Sequence, residues 1–538
     1  MLAGMDPMNR KPQATGTGCG SARSASILVI LPHNQGDVVM ALQAIRMVKA
    51  ERPGLEVDYL VSDECRELVM GSPLLRQVHV LPKDSLPRLR ENGNEAGLPN
   101  DLDAFLSGLA ATSYDLSLNL FQEKPGAILQ SRVRAERKAG LERIGGKDLR
   151  VRSRFMEHLF AIPADRRGNA WHAVDIYVRA ARRALESISS LATPGKSGLP
   201  PWGVGAGAGA GPAAIFPSPP RPEVCASLAA GEYLVFHAGS AWPGKRWPAA
   251  HWALLANRCA GAGFTMVFTG SPGEKPLMDR IVENMDGPAR KASLDCVGRT
   301  DLPGVAWICA HARMVVTGDT MAMHLAAASG TPTLCLFGAS NPVETGPYGK
   351  GHVILQTEPA PPPNLAFDRE HPGLANLSPM EVADYLLEGV PPPGFPLWET
   401  CWDGERNRQT LRDYHGLPPP GSQRALRLME VLDRLADRED PGGINPLPKP
   451  GGPAENLRGL LITAVDALSD APATAPERLL AGVEDAEREL SRETENDLVW
   501  EAYRIAVNGL PIDDMRVHLT ARLNRLDRAI KEETLRNP

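Results

Sequence analysis

The chain has 538 residues, 43% of them hydrophobic, and a formal net charge of −6. That length exceeds what a single core supports and implies two or three domains of ordinary globular composition. The acidic balance excludes a general nucleic-acid binder, and no apolar run approaches the 18 residues of a transmembrane helix.

Residues 1–25 are polar, rich in Gly and Ser, and lack the apolar stretch of a secretory signal, so they read as a disordered leader. Ile27–Leu31 is a short apolar strand that Pro32–Gly36 breaks. Asp37 then opens a helix with Val38, Leu42, Ile45 and Val48 on one face. Val57–Val61, Val78–Leu81 and Tyr114–Phe121 continue an alternation of strand and helix that predicts a mostly parallel sheet over residues 26–201. Residues 202–222, with GVGAGAGAGP and a Pro-rich stretch, predict a flexible linker or inserted loop.

A second α/β unit is expected over 223–390. Its strands are Tyr233–His237, Thr265–Gly270, the pair flanking the helix within Val315–Gly338, and a last one at His352–Gln356. Helices open at Pro248, Glu274 and Asp301. From 391 to 538 Pro-rich segments punctuate helical ones, and Leu519, Leu523, Leu526 and Ile530 form a stripe at helical spacing. This region is read as a helical extension for packing or for a protein partner. Eight scattered cysteines, with no CxxC pair and no Cys/His cluster, fit buried thiols in a reducing cytoplasm better than a zinc site.

Three loops carry chemistry, each at the carboxyl end of a predicted strand. In His33–Asp37, Gly36 permits a tight turn and Asp37 sits at or next to a helix N-cap. There it serves either as a cap or as a general base facing an interdomain cleft. In Ala238–Pro248, the small residues Gly239 and Ser240 let backbone N–H groups approach a phosphate, and Lys245 adds a point charge. Trp242 and Trp247 of that loop are expected to pack. In Asp319–His324, Thr320 and His324 lie four apart on one helix face, and the N–H groups of the first turn point at an anion. The loop beginning at Gly338, GASNPVETGPYG, is expected to close over the same crevice.

Together, in this order and spacing, the loops resemble glycosyltransferase family 9, the ADP-heptose:lipopolysaccharide heptosyltransferases. The resemblance runs from about Ser26 to about Leu387. The family's G-D matches Gly36-Asp37, its K-x-W-P matches Lys245-Arg246-Trp247-Pro248, and its D-T-G-x-x-H-x-A-A matches Asp319 to Ala327. Met321 departs from it, standing where the family usually has Gly.

The resemblance implies an α/β chain of GT-B architecture, with two facing Rossmann-like domains, here followed by the C-terminal helical appendage. It implies a metal-independent, inverting transfer of heptose or a related sugar from an ADP-sugar to a lipopolysaccharide-core or related glycan, without a cofactor. Asp37 takes the base role and Lys245 holds the diphosphate. Gly239, Ser240, Glu274, Asp319, Thr320, Met321, His324 and Gly338 line the donor site, with Glu274 near the ribose. Lys124 and Arg143 are candidates for gripping an acidic, lipid-linked acceptor. The expected place is the cytoplasm, with peripheral association at the inner membrane. The alternative is a non-catalytic nucleotide-sugar-binding or scaffold protein of the same fold. A Rossmann oxidoreductase is disfavoured because Ile27–Asp37 lacks G-x-G-x-x-G.

Overall fold

The computed structural model describes residues 24–91, 100–121, 123–143, 158–162, 172–186, 188, 215–216, 220–338, 340–357, 371–392, 397–403 and 408–413. The first sheet holds β1 (Ser26–Ile30), β2 (Glu56–Ser62), β3 (Gln77–Leu81), β4 (Ser113–Asn119), β5 (Arg134–Arg143) and β6 (His158–Ile162). Its order is β3-β2-β1-β4-β5-β6, and every pair is parallel. Neither β5 nor β6 was among the strands expected from sequence. RAERKAGLER in β5 is interrupted by charge and shows no apolar run, yet it pairs with β4 from Arg134 to Gly140 and with β6 from Ala139 to Arg143.

The second sheet contains β7 (Tyr233–His237), β8 (Thr265–Phe268), β9 (Ser293–Asp295), β10 (Met314–Gly318), β11 (Thr333–Phe337), β12 (Val353–Gln356), β13 (Leu397–Asp403) and β14 (Arg408–Asp413). Its order is β14-β13-β12-β11-β10-β7-β8-β9. The six strands β7 to β12 repeat the parallel arrangement of the first sheet, with β7 and β10 in the places of β1 and β4. In both sheets the strand order therefore reverses beside the first strand. Ligands of such open sheets bind in the crevice outside the carboxyl ends at that switch point. Loops after β1, β7 and β10, the three singled out in the sequence, all leave from it.

β13 and β14 correct the expectation that a helical extension begins at 391 and that β12 is the last strand. They pair antiparallel with β12 and with each other. The Pro-rich flanks suggest a linker, but Trp398 and Leu411 bury themselves with Met323, Cys335, Phe337 and Ile354 and so add a hairpin to the sheet edge. Residues 414–538, including the predicted stripe from Leu519 to Ile530, lie outside the described residues, as do 1–23 and most of the 202–222 linker. Within that linker, Ile215 is buried and its carbonyl accepts a 2.6 Å hydrogen bond from Ser72.

Six helices position the site: α1 (Gln35–Glu51), α2 (Lys124–Arg132), α3 (Ala173–Glu186), α4 (Lys275–Asn284), α5 (Met321–Ala328) and α6 (Pro342–Thr345). α1 packs on α3 within the first domain and on α5 of the second. One buried apolar cluster consequently runs from Leu28, Val39 and Leu42 through to Ala322, Leu325 and Tyr348. Cysteines 65, 225, 259, 296, 309 and 335 are buried free thiols, in agreement with the reading from their spacing. Among the described residues, no helix is long and apolar enough to cross a membrane.

Candidate active site

α1 starts two residues earlier than its sequence suggests. Asn34 occupies the N-cap with φ 64°, ψ 104°, so Asp37 is the third residue of the helix. No side-chain cap bond forms there. Instead Asn34 Nδ2 donates to Asp37 Oδ2 at 2.9 Å, leaving the half-buried carboxylate directed by Asn34 and not spent on the helix amides. The turn is anchored from the short turn after β2: His33 Nδ1 bonds Glu64 Oε1, and Gln35 Nε2 donates to the Glu64 carbonyl at 3.3 Å. Burial is the main force raising the Asp37 carboxyl to about 6; Asn34 opposes it, Asp319 and Glu344 add to it, and Lys245 opposes it.

Opposite α1 stands the start of α5. Asp319 is buried and accepts from Lys245 Nζ at 2.6 Å and from Thr345 Oγ1 at 3.4 Å. Burial, the largest single influence, pushes its carboxyl upward, but Lys245, His324 and Ser340 together outweigh it and hold the carboxyl below the usual carboxylate range. Thr320 is the N-cap of α5, with its hydroxyl 2.9 Å from that of Thr317 and no cap bond. The amides of the first turn thus remain available to an anion. Met321 is the first residue of the helix and its side chain leans on the core that joins the domains.

His324 is 3% exposed, and its Nδ1 has no hydrogen-bond partner. Burial is the first cause that brings its imidazole down to about 4, so it is neutral at physiological pH. The ring lies against Gly36 of the other domain: a Cβ at Gly36 would sit 2.9 Å from His324 Cδ2. Only glycine lets the two helix starts approach this closely. Gly36→Ala should therefore destabilise the closed arrangement by about 1–3 kcal/mol, read as an earlier denaturant midpoint. An unchanged midpoint would mean that the domains separate freely in solution.

Around Lys245 the backbone is held firmly. Trp242 N donates to Ser240 Oγ at 3.2 Å, and Arg246 clasps the Ser240 carbonyl through Nε at 2.8 Å and Nη2 at 2.5 Å. Trp247 is buried as expected, its Nε1 donating to the Leu377 carbonyl at 3.1 Å. Trp242 corrects the reading that both tryptophans pack, since it is 52% exposed. Glu274 closes a capping box: its Oε2 accepts from Ser271 N at 2.7 Å and Oγ at 3.0 Å in the turn leading into α4. The same carboxylate lies over Gly239, where a Cβ would come within 1.8 Å of Oε1. Cap and site residue are thus compatible roles for Glu274, because the turn it closes follows β8 beside the loop after β7.

Gly338 stands apart from this group in the contacts it makes. A Cβ there would sit 2.9 Å from Leu374 Cδ1 and 3.0 Å from His371 Cγ, so its small size serves packing against 371–377. Lys124 opens α2 and Arg143 ends β5, but the side chains of both lie outside the described residues. Sequence reading missed Asn34, His33–Glu64, Thr345 and Glu344. The first had a readable signal, an Asn three residues ahead of the Asp. Glu344 and Thr345 lie in the loop expected to close over the crevice, but nothing local singles them out, because only the fold brings α6 to the strand end at Asp319. Among the described residues, no three His, Cys, Asp or Glu side chains converge as a metal-binding set.

Comparison with known proteins agrees with this geometry. Residues 210–370 match the model of glycosyltransferase family 9 (heptosyltransferase). The chain is similar to lipopolysaccharide heptosyltransferase 1 of Pseudomonas aeruginosa, 27% identical over 335 residues, which cover 62% of this chain and 84% of that protein. It is also similar to lipopolysaccharide heptosyltransferase 1 of Escherichia coli K12, at 25% identity over 340 residues, covering 63% and 95%. Among solved structures, an E. coli heptosyltransferase with ADP superposes with a TM-score of 0.51 at 21% identity, covering 68% of this chain and all (100%) of that one. A family 9 glycosyl transferase from Veillonella parvula gives 0.50 at 21%, covering 68% and 97%. These structural likenesses concern the fold, which is the two-domain GT-B arrangement.

Proposed function

This chain is a glycosyltransferase of family 9, and on that premise we propose that it moves a heptose from ADP-heptose to a sugar hydroxyl of the lipopolysaccharide core, inverting the anomeric centre without a metal. The observation that carries the reading is the apposition, at two switch points, of a raised-pKa carboxylate from one domain with a cation and a helix N-terminus from the other.

In this reaction the acceptor oxygen attacks the anomeric carbon as the bond from that carbon to the diphosphate oxygen breaks. The acceptor proton passes to Asp37, and ADP leaves. With a carboxyl near 6, Asp37 is ionised at neutral pH yet more basic than an ordinary aspartate, the compromise that general-base catalysis favours. Lys245 and the free amides opening α5 take the charge that grows on the departing diphosphate. Asp319 keeps Lys245 in place until the donor arrives, and neutral His324 lines the donor side without adding charge. Gly239 leaves room for Glu274, which faces the donor ribose. Met321 narrows the approach to the diphosphate.

An acidic, lipid-linked acceptor calls for basic groups on the first domain, and Lys124 and Arg143 keep that role. Such an acceptor also places the enzyme in the cytoplasm, peripherally at the inner membrane. A partner for residues 391–538 remains part of the proposal only beyond the hairpin.

The first test is donor recognition. ADP at about 100 times its dissociation constant should stabilise the protein by about 2.7 kcal/mol, a shift of several degrees in Tm for domains of this size. ADP-heptose should do the same, and UDP and GDP should not. Stabilisation by UDP or GDP without ADP would overturn the heptosyl assignment.

A further inference from the structure

The hairpin β13–β14 lies beyond the stretch that resembles the family, yet it reaches the site. Gln409 of β14 is buried and is bonded in three directions. Its Oε1 accepts from Gly349 N at 2.8 Å, its Nε2 donates to the Pro347 carbonyl at 3.0 Å, and its own N–H donates to Asp175 Oδ2 at 2.9 Å. Asp175 belongs to α3 of the first domain, and its other oxygen accepts from Tyr348 Oη at 2.6 Å. His172, just before α3, donates from Nε2 to the Gly346 carbonyl at 2.8 Å and accepts from Val174 N at 3.1 Å. That pair of bonds fixes its tautomer, and burial brings its pKa down to about 3, so it stays neutral. Gly346 to Gly349 are thereby held by two domains at once.

The held residues directly follow α6, which presents Thr345 to Asp319 and Glu344 to Asp37. We propose that Gln409, acting with Asp175 and Tyr348, is a positioning residue for sugar transfer: the hairpin ties the loop after β11 to the first domain and so sets the distance between Asp37 and the Lys245–Asp319 pair. The functional unit then extends past residue 390, at least through β14. This inference rests on Asp37 being the base of the proposed reaction.

A loosened loop has a signature that general destabilisation lacks. Asp37 faces Asn34 on its own turn, Asp319 and Lys245 from the second domain, neutral His324 against Gly36, Glu344 from α6, and the uncharged Tyr59 and Cys65 from β2 and the turn after it. Withdrawing α6 removes the repulsion from Glu344 and admits solvent, and both lower the Asp37 pKa. In the full chain, Gln409→Ala is expected to reduce kcat about tenfold or more, the scale of losses from small misplacement, with donor KM within about threefold. The acid limb of kcat/KM should move to lower pH. Tyr348→Phe, which removes one hydroxyl and keeps the ring, should give the same changes on a smaller scale, and it carries the test if Gln409→Ala does not fold. Unaltered kcat and acid limb in a folded variant would overturn the proposal. If the parent enzyme transfers no sugar from ADP-heptose, the functional reading fails by itself. Hydrogen exchange over 340–349 then decides the tie: faster exchange in Gln409→Ala supports it, and unchanged exchange removes it.

Discussion

Asp37→Ala is expected to lower the transfer rate by about 10²–10⁴-fold, the usual contribution of a general base, while the affinity for ADP stays near that of the parent. Single-turnover transfer and nucleotide titration measure the two quantities separately. If both fall together, Asp37 is a structural residue of α1. The pH dependence follows from the sign of the shift. The base must be ionised to accept the proton, and burial holds Asp37 near 6. Activity should therefore fall as pH drops through about 6 and stay level just above it.

The same shift has a thermodynamic consequence of opposite sign to that of a salt-bridged carboxylate. Asp37 binds its proton more tightly in the folded state, since its pKa is raised from 3.8 to about 6. Its ionisation therefore weakens the fold above pH 6, and the penalty vanishes below the unfolded value. Asp37→Asn should raise Tm by a few degrees at pH 7.5 and leave it unchanged near pH 3. Such a gain on removing a residue marks strain kept for activity.

Lys245→Ala is expected to cost about 10²–10³-fold in kcat, comparable to removing one donor that stabilises developing negative charge. It should also weaken the fold, because Asp319 is buried and loses its ammonium partner at 2.6 Å. Breaking such a pair from one side costs about 3–5 kcal/mol. The double variant Lys245→Ala/Asp319→Asn separates the effects: stability should return, and activity should not. Recovery of activity in the double variant would show that Lys245 serves only to neutralise Asp319.

Much of the arrangement was legible in the chain. Alternating apolar strands and amphipathic helices imply parallel sheets, and Gly36-Asp37, Lys245 and Asp319–His324 stand at strand ends where such sheets bind ligands. Local rules went astray where long-range packing decides. The charged β5 gives no strand pattern, because its pairing with β4 supplies what its own composition does not. The Pro-rich flanks of Leu397–Asp413 hide a hairpin that exists only because β12 offers an unpaired edge and Phe337 and Ile354 an apolar seat. Gly338, grouped with the donor site by its place after β11, turns out to make room for Leu374 and His371.

The sequence by itself determined which residue types are present at which strand ends, since periodicity and turn chemistry are local properties of the chain. Why Gly36 must be glycine was decided only in three dimensions, where His324 of the other domain occupies the space of its side chain. The basicity of Asp37 was decided there as well. A carboxylate's pKa depends on burial and on charges within a few ångströms, and Asp319, Glu344 and Lys245 stand hundreds of residues away along the chain but beside it in the fold.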